Sequence, residues 1–308
     1  MSRVAAVDIG TNSVRLLLAD ADGSGPDAVL HTLDRRMQIT RLGQGVDASH
    51  RLASDAVERT VAVLREYHDA IGAAGATRVR ATATSAARDA TNRDEFFAAA
   101  HDALGVEPEL LSGDEEAGLS FTGATACLTD EPAPYLVIDI GGGSTEFPVG
   151  TTKPDGAISI DVGCVRVTEQ FLHSDPPAPE ELSAALLTVR DHLGDVEREL
   201  TQLHDAQTVV GVAGTVTTVA AVEQGVPYSR ERIHRFRLSH QAAEEVFRTL
   251  ALEPAAERRH NPGLEPGRVD TIVGGSIVLV ATMRAFDLDE LLVSEDDILD
   301  GLARSLAP

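Results

Sequence analysis

The sequence predicts an α/β protein built from two copies of one domain, with a cleft between them. The tripeptide Asp-Ile-Gly occurs twice, beginning at Asp8 and at Asp139, and each copy lies between two short apolar runs. A polar, Pro-containing stretch at 128–134 separates the copies. At 308 residues the chain is long enough for two domains that each bury a core. We expect domains at 1–127 and 128–308, with a terminal helix at about 297–308 that can pack back on the first.

The first half is predicted to begin with three strands and then to alternate helices with strands. Apolar runs on both sides of the turn at 10–12 indicate strand, tight turn and strand. Asn92, with Glu95 three residues later, predicts a capping box. The predicted strands lie at about 3–9, 13–21, 27–40, 77–84 and 109–111, and the predicted helices at about 54–74, from 92 and from 115. This order is that of an RNase-H-like domain.

The second half repeats the opening of the first. An apolar run again leads into a Gly-rich turn, here Gly141-Gly142-Gly143, and a second run follows it. The predicted strands lie at about 135–140, 144–150, 156–162, 208–212 and 290–293, and the predicted helices follow 163 and 212 and occupy about 179–203, 239–252, 267–285 and 297–306. We interpret the repeat as a domain duplication.

Composition narrows the classes of partner. The formal charge of −23 disfavours binding to nucleic acid and to anionic membranes. No apolar run approaches the roughly 18 residues of a membrane-spanning helix, so we expect a cytoplasmic protein. The two cysteines, Cys127 and Cys164, lack metal-site spacing and are expected to be buried small hydrophobes.

The two Gly-rich turns are candidate phosphate clamps. Backbone N–H groups of such a turn form a concavity that suits phosphate oxygens, and neighbouring hydroxyl and amide side chains add donors. Because the chain is acidic, Arg side chains, helix N-termini and a metal must supply the local positive potential. The predicted phosphate-binding residues are Thr11, Asn12, Ser13, Gly141, Gly142, Gly143 and Ser144.

Three carboxylates accompany these turns. Asp8 and Asp139 each end a predicted strand, and Glu146 follows the second turn in the strand behind it. Hard oxygen donors of this kind suit Mg²⁺, with Mn²⁺ as a substitute. We predict Asp8, Asp139 and Glu146 as metal ligands, with a solvated surface glutamate as the alternative for Glu146.

Four motifs occur in the order of a known family. They are Asp8-Ile-Gly-Thr-Asn-Ser13, Ala83-Thr-Ser-Ala-Ala-Arg-Asp-Ala-Thr-Asn92, Ser112-Gly-Asp-Glu-Glu-Ala117 and Asp139-Ile-Gly-Gly-Gly-Ser-Thr-Glu146. Together they resemble the exopolyphosphatase/guanosine pentaphosphate phosphatase (Ppx/GppA) family, in particular its short, two-domain actinobacterial exopolyphosphatases. The resemblance implies the duplicated RNase-H-like fold of the sugar kinase–Hsp70–actin (ASKHA) superfamily, with the active site in the interdomain cleft.

The resemblance also assigns one catalytic role. It places the catalytic glutamate at the second position of the Glu-Glu pair, so we expect Glu116 to position or deprotonate the attacking water. Glu115 is expected only to stabilise the start of its helix. Arg88, in the predicted loop after a strand, can take the charge that develops on the transferred phosphoryl group, and a solvated surface arginine is the alternative. Arg166 is either a further phosphate ligand or a structural residue.

The expected activity is release of orthophosphate from the end of inorganic polyphosphate, with a preference for short chains. The alternatives are a guanosine pentaphosphate 5′-phosphatase and, in another class, a non-catalytic polyphosphate or nucleotide sensor. Polyphosphate is the expected partner, with guanosine pentaphosphate second, no nucleic acid, no membrane, and a second copy in a homodimer. The turn at 211–215 either binds nucleotide or only packs a helix. Leu299-Asp300-Gly301 departs from the family's usual Arg-acid-Gly step.

Overall fold

The structure is a computed structural model that describes residues 2–308, and it divides into two compact units. The first unit combines the chain up to Cys127 with Asp297–Pro308, and the second is Leu128–Asp296. The terminal helix therefore belongs to the first unit. None of the helices within residues 2–308 is long and apolar enough to cross a membrane.

The first unit contains one five-stranded sheet flanked by helices. Its strands are β1 (Ser2–Ile9), β2 (Ser13–Asp22), β3 (Val29–Ile39), β4 (Arg78–Ala83) and β5 (Glu109–Leu110). Its helices are α1 (Val46–Ser49), α2 (Ser54–Ala74), α3 (Ser85–Asp89), α4 (Arg93–Leu104), α5 (Gly113–Thr125) and α13 (Ile298–Ser305). The sheet order is β3-β2-β1-β4-β5. Strand β2 pairs antiparallel with β1 and with β3, whereas β4 pairs parallel with β1 and with β5. This is the RNase-H-like order.

Helices cover both faces of this sheet. Alternate residues of β1 point to opposite faces and therefore pack in two different clusters. Val7 packs in one cluster with Leu64 of α2 and Phe96 of α4. Val4 packs in the other cluster with Leu302 of α13.

Helices α5 and α13 approach each other closely through glycine. A Cβ on Gly123 would overlap the carbonyl of Asp297, and a Cβ on Gly301 would overlap the carbonyl oxygen of Leu119. No other residue fits at these two positions without moving the helices apart.

The second unit repeats this arrangement with additions. Its strands are β6 (Tyr135–Ile140), β7 (Thr145–Glu146), β8 (Val149–Gly150), β9 (Pro154–Gly156), β10 (Ser159–Ile160), β11 (Thr208–Val212), β12 (Arg237–Ser239) and β13 (Glu290–Val293). Its helices are α6 (Cys164–Phe171), α7 (Pro179–Glu199), α8 (Ala213–Gln224), α9 (Arg230–Ile233), α10 (His240–Leu252), α11 (Ala255–Arg258) and α12 (Ile272–Ala285).

The sheet order in this unit is β10-β7-β6-β11-β13-β12, with β8 and β9 paired beside β6. Strand β7 pairs antiparallel with β6 and with β10, and β11 pairs parallel with β6 and with β13. The counterpart strands of the first unit pair in the same directions. The chain is therefore a duplicated RNase-H-like protein. Strand β12 adds an antiparallel edge to β13.

Several local predictions differ from the structure. The two strands predicted at 144–150 and 156–162 are replaced by four short ones, β7 to β10. The break between β7 and β8 contains Pro148, which has no N–H to continue a ladder. Asn92 precedes α4 but makes no capping bond, because its side chain bonds both the N–H and the carbonyl of Leu52. Cys127 is exposed rather than buried, because it lies just beyond the end of α5, whereas Cys164 is buried as predicted.

Candidate active site

The first Gly-rich turn joins β1 to β2 and is held from outside by the segment after β3. The N–H of Gly10 donates to the carbonyl of Ser13 (2.9 Å), which closes the turn. The carbonyl of Asn12 accepts from Thr40 (3.1 Å) and Arg41 (2.9 Å), and that of Thr11 accepts from Gly43 (2.8 Å). The backbone of this turn is therefore fixed before any ligand binds.

Polar side-chain atoms in this turn are buried without partners. Asp8 and Asn12 are 4% and 6% exposed. The Oδ1 of Asp8 and both side-chain amide atoms of Asn12 have no hydrogen-bond partner within residues 2–308. Buried polar atoms almost always have a partner. The first turn thus has the unsatisfied donors and acceptors that a bound polar ligand would complete.

The second turn has the same closure in the second unit. The N–H of Gly141 donates to the carbonyl of Ser144 (3.0 Å). Helix α6 starts against the turn, because the N–H groups of Cys164 and Val165 donate to the carbonyls of Gly141 (3.0 Å) and Gly142 (2.8 Å). A side chain at Gly163 would collide with Gly142. Close packing of α6 therefore shapes the glycine turn.

The two turns differ in the residue opposite the aspartate. Asp8 faces Arg15 across the β1–β2 ladder, and Arg15 Nη2 donates to Asp8 Oδ2 at 2.7 Å. Asp139 faces Glu146 across the β6–β7 ladder. Both of these carboxylates are buried, and Glu146 Oε1 accepts from Ser159 Oγ at 2.8 Å. Two buried carboxylates placed opposite each other repel unless a cation lies near.

The predicted catalytic pair lies together in the first unit. Arg88 Nη1 donates to Glu116 Oε2 at 2.6 Å and to the carbonyl of Leu111 at 3.0 Å. The side chains of Arg88 and Glu116 are 20% and 12% exposed. The predicted loop around Arg88 is instead helix α3, which begins when Ala87 and Arg88 donate to the Thr84 carbonyl. The sequence there, Ser-Ala-Ala-Arg, favours a helical turn because alanine has the highest helix propensity.

The start of α5 explains the position of Glu116. Ser112 and Glu115 form a reciprocal capping box, in which Ser112 Oγ accepts from Glu115 N–H and Glu115 accepts from Ser112 N–H (2.9 Å). Hydrogen bonds from the backbone and side chain of Ser112 lower the pKa of Glu115. Glu115 is thus occupied in the cap, as predicted, and Glu116 is the carboxylate of the pair that contacts Arg88.

Within residues 2–308, no group of three or more His, Cys, Asp and Glu side chains is placed to hold a metal ion. Asp139 and Glu146 are neighbours in the second unit, whereas Asp8 belongs to the first and pairs with Arg15. Burial raises the pKa of Asp8, and the charge of Arg15 opposes this shift. In each unit the predicted ligands fit Mg²⁺ in their chemistry. Asp139 and Glu146 in the second unit and the unpartnered Oδ1 of Asp8 in the first are hard oxygen donors.

Comparison with known proteins identifies the family. The Ppx/GppA phosphatase family profile matches residues 19–308. The chain belongs to this family. It is 44% identical to "Exopolyphosphatase 2" of Mycobacterium tuberculosis H37Rv over 100% of this chain and 99% of that protein.

Two solved structures extend the similarity to the fold. A crystal structure of an exopolyphosphatase-like protein matches with a TM-score of 0.91 and 38% identity, covering 97% of each chain. The Ppx/GppA family member from Aquifex aeolicus matches with a TM-score of 0.80 and 33% identity, covering 99% of this chain and 97% of that one. The phosphatase therefore shares the fold of solved Ppx/GppA family structures.

The remaining candidates of this Ppx/GppA phosphatase have structural partners. Arg166 Nε donates to the carbonyl of Gly143 at 3.0 Å, so it supports the second turn from α6. At the turn between β11 and α8, the guanidinium of Arg268 lies against Gly214 and leaves no room for a Cβ. Leu299, at the family's usual arginine position, is fully buried in the cluster with Val4.

Three charged residues of the first unit were not predicted from the sequence: Arg15, Arg35 and Asp297. Arg15 and Arg35 lie on β2 and β3, and both bond Asp297, which caps α13. Burial acts to raise the pKa of Asp297, but the two arginines outweigh it and lower the pKa. One sequence feature indicates the helix cap at Asp297: Asp300 follows three residues later, which is the spacing of a capping box.

Proposed function

We propose that this phosphatase is an exopolyphosphatase that releases orthophosphate from the end of inorganic polyphosphate. The observation that carries the proposal is the contact between Arg88 and Glu116 at 2.6 Å, which brings together a water-directing carboxylate and a cation suited to a phosphoryl group. The full-length identity of 44% to a protein named "Exopolyphosphatase 2" supports polyphosphate as the substrate.

Glu116 acts on water in this mechanism. The water oxygen forms a bond to the terminal phosphorus, the bridging P–O bond breaks, and the proton of the water passes to the Glu116 carboxylate. The polyphosphate leaves one unit shorter. Arg88, which is anchored by the carbonyl of Leu111, fixes the carboxylate and offers its guanidinium to the charge that develops on the phosphoryl oxygens.

The two turns hold the phosphates. Asn12 offers a buried amide without a partner, and the backbone beside it is fixed by the bonds from Thr40 and Arg41. In the second unit, the turn at Gly141, closed onto Ser144, offers backbone N–H groups and a hydroxyl. Preorganised donors lower the cost of binding, because they need no rearrangement.

Asp139 and Glu146 of the second unit would hold Mg²⁺. In the first unit, Oδ1 of Asp8 is an oxygen donor for a divalent cation. When bound, the ion supplies charge neutralisation to the phosphate oxygens. Asp139 and Glu146 are 6% and 1% exposed and lie directly opposite each other on paired strands. Their negative charges repel, and a cation bound between the two carboxylates removes this repulsion.

We also propose a preference for short polyphosphates. The formal charge of −23 repels a long polyanion that extends beyond the phosphate-binding turns. A short chain fits within the local positive potential of the arginines and the metal. It therefore meets less of the acidic surface.

The test measures phosphate release from polyphosphates of defined length, from guanosine pentaphosphate and from ATP, each with Mg²⁺ and with EDTA. The Glu116→Gln protein is the blank for contaminating phosphatase. The proposal expects Mg²⁺-dependent release from polyphosphate, fastest for short chains. Faster turnover of guanosine pentaphosphate would establish the 5′-phosphatase activity instead, and binding without any turnover would indicate a sensor.

A further inference from the structure

Five charged side chains form a continuous, largely buried network in the first unit. Arg15 bonds Asp8 and Asp297, and Arg35 bonds Asp297 (3.3 Å) and Asp300 (2.7 Å). The three carboxylate side chains are 5–7% exposed and the two arginines about one-fifth. The network connects the helix cap of α13 to the aspartate of the first turn.

Arg15 contacts Asp8 in an unusual way. Both its Nε (3.1 Å) and its Nη2 (2.7 Å) donate to the same oxygen, Oδ2 of Asp8. The other oxygen, Oδ1, has no partner within residues 2–308. An arginine beside a carboxylate commonly forms two parallel bonds, one to each oxygen. Such a pairing here would occupy Oδ1.

The third arm of Arg15 is held elsewhere. Its Nη1 donates to Oδ2 of Asp297. Asp297 is itself fixed, because its Oδ1 accepts from Leu299 N–H (2.9 Å) and its N–H donates to Asp300 Oδ2 (3.0 Å). Its carbonyl lies against Gly123 of α5. The guanidinium therefore has one nitrogen tied to a rigid helix start.

We propose that Asp297 is a positioning residue of the active site. By holding Nη1 of Arg15, it keeps Arg15 on one oxygen of Asp8 and leaves Oδ1 to bind the divalent cation. Without Asp297, the guanidinium turns to pair with both oxygens and competes with the cation. This inference rests on the proposed function, in which Asp8 is a cation ligand.

The test compares Asp297→Asn with Asp300→Asn. Both changes remove one negative charge from the same network and the same helix start, but Asp297 bonds Arg15, whereas Asp300 bonds Arg35. Mn²⁺ binding is measured without substrate by electron paramagnetic resonance, and polyphosphate turnover is measured against Mg²⁺ concentration. Residues that orient a metal ligand typically contribute about 10–100-fold to affinity, so Asp297→Asn should weaken Mn²⁺ binding by about that factor. Asp300→Asn keeps a side-chain oxygen that can accept from the N–H of Asp297, so this variant should retain the wild-type Mn²⁺ affinity.

A double variant tests whether Asp297 acts through Arg15. Adding Asp297→Asn to an Arg15→Met protein should cause no further loss of Mn²⁺ affinity, because the competing guanidinium is gone. Thermal denaturation shows whether the Asp297→Asn protein is folded. If it is not, Asp297→Ser is used in its place, because serine keeps an oxygen for the helix cap.

The possible results distinguish failure of this inference alone from failure of the proposed function. Equal losses of Mn²⁺ affinity in Asp297→Asn and Asp300→Asn, or an additive loss in the double variant, would show a merely structural role and overturn the inference. If the wild-type protein neither binds Mn²⁺ nor hydrolyses polyphosphate, the proposed function fails, and the inference fails with it.

Discussion

Replacing Glu116 by glutamine should remove most of the turnover while leaving substrate affinity nearly unchanged. Glutamine keeps an oxygen that can accept from Arg88, but it cannot accept a proton from water. The loss of general-base catalysis lowers kcat by about 10²–10⁴-fold, which corresponds to about 2.7–5.4 kcal/mol of transition-state stabilisation. The bond from Arg88 becomes a bond to a neutral acceptor, so stability should fall by only about 1 kcal/mol.

Glu115→Gln is the matched control. It makes the same chemical change one residue away, and glutamine preserves the capping box with Ser112. The assay follows phosphate release from a short polyphosphate at saturating Mg²⁺ to obtain kcat and KM, with thermal unfolding of both variants. If Glu116→Gln keeps a kcat near that of Glu115→Gln, the water is positioned by another group, and Glu146 becomes the first candidate.

Further predictions address the metal, the arginine, the substrate and the packing. Asp139→Asn should raise the Mg²⁺ concentration for half-maximal rate by about 10-fold or more, because it removes an anionic oxygen donor; saturation at the wild-type concentration would exclude Asp139 as a ligand. Arg88→Lys should lower kcat on the order of 10²-fold, since an ammonium cannot reproduce the planar fork, and sustained activity would reduce Arg88 to general positive potential. The ratio kcat/KM should fall with polyphosphate length at low salt and recover as screening shortens to about 8 Å at 0.15 M ionic strength; a rise with length at low salt would contradict the short-chain preference. Gly301→Ala should destabilise the protein by about 1–3 kcal/mol in thermal unfolding because of its overlap with Leu119, whereas Gly118→Ala, which has open space, should not; equal midpoints would refute the packing argument.

The fold could be predicted because its main elements depend on short sequence patterns. A strand, a glycine turn and a second strand need only alternating apolar residues and a few glycines, and the two copies at Asp8 and Asp139 share the same closing hydrogen bond. Helix α2 was predicted at 54–74, where the structure has it, because its apolar stripe extends along its whole length.

Interactions between distant residues could not be predicted in this way. Arg15 and Asp297 are 282 positions apart, and no spacing rule connects a strand residue to a helix cap at that distance. The contact between Arg88 and Glu116 was also not predictable from spacing, although the family resemblance gave Glu116 a catalytic role and the position of Arg88 after a strand suggested one for Arg88. Arg166 had two interpretations that the sequence left equal, and its bond to Gly143 makes it a support of the second turn.

The place of α13 in the first unit imposes an order on biosynthesis. The middle of the chain, Leu128–Asp296, has all of its own strands once residue 296 has been made. The first unit lacks Leu302 in its second cluster, and Asp8 lacks a correctly held Arg15, until residues 297–308 have emerged from the ribosome. The N-terminal residues that are synthesised first therefore complete their packing last. A nascent chain arrested before residue 297 would carry a folded second unit beside an unfinished first one.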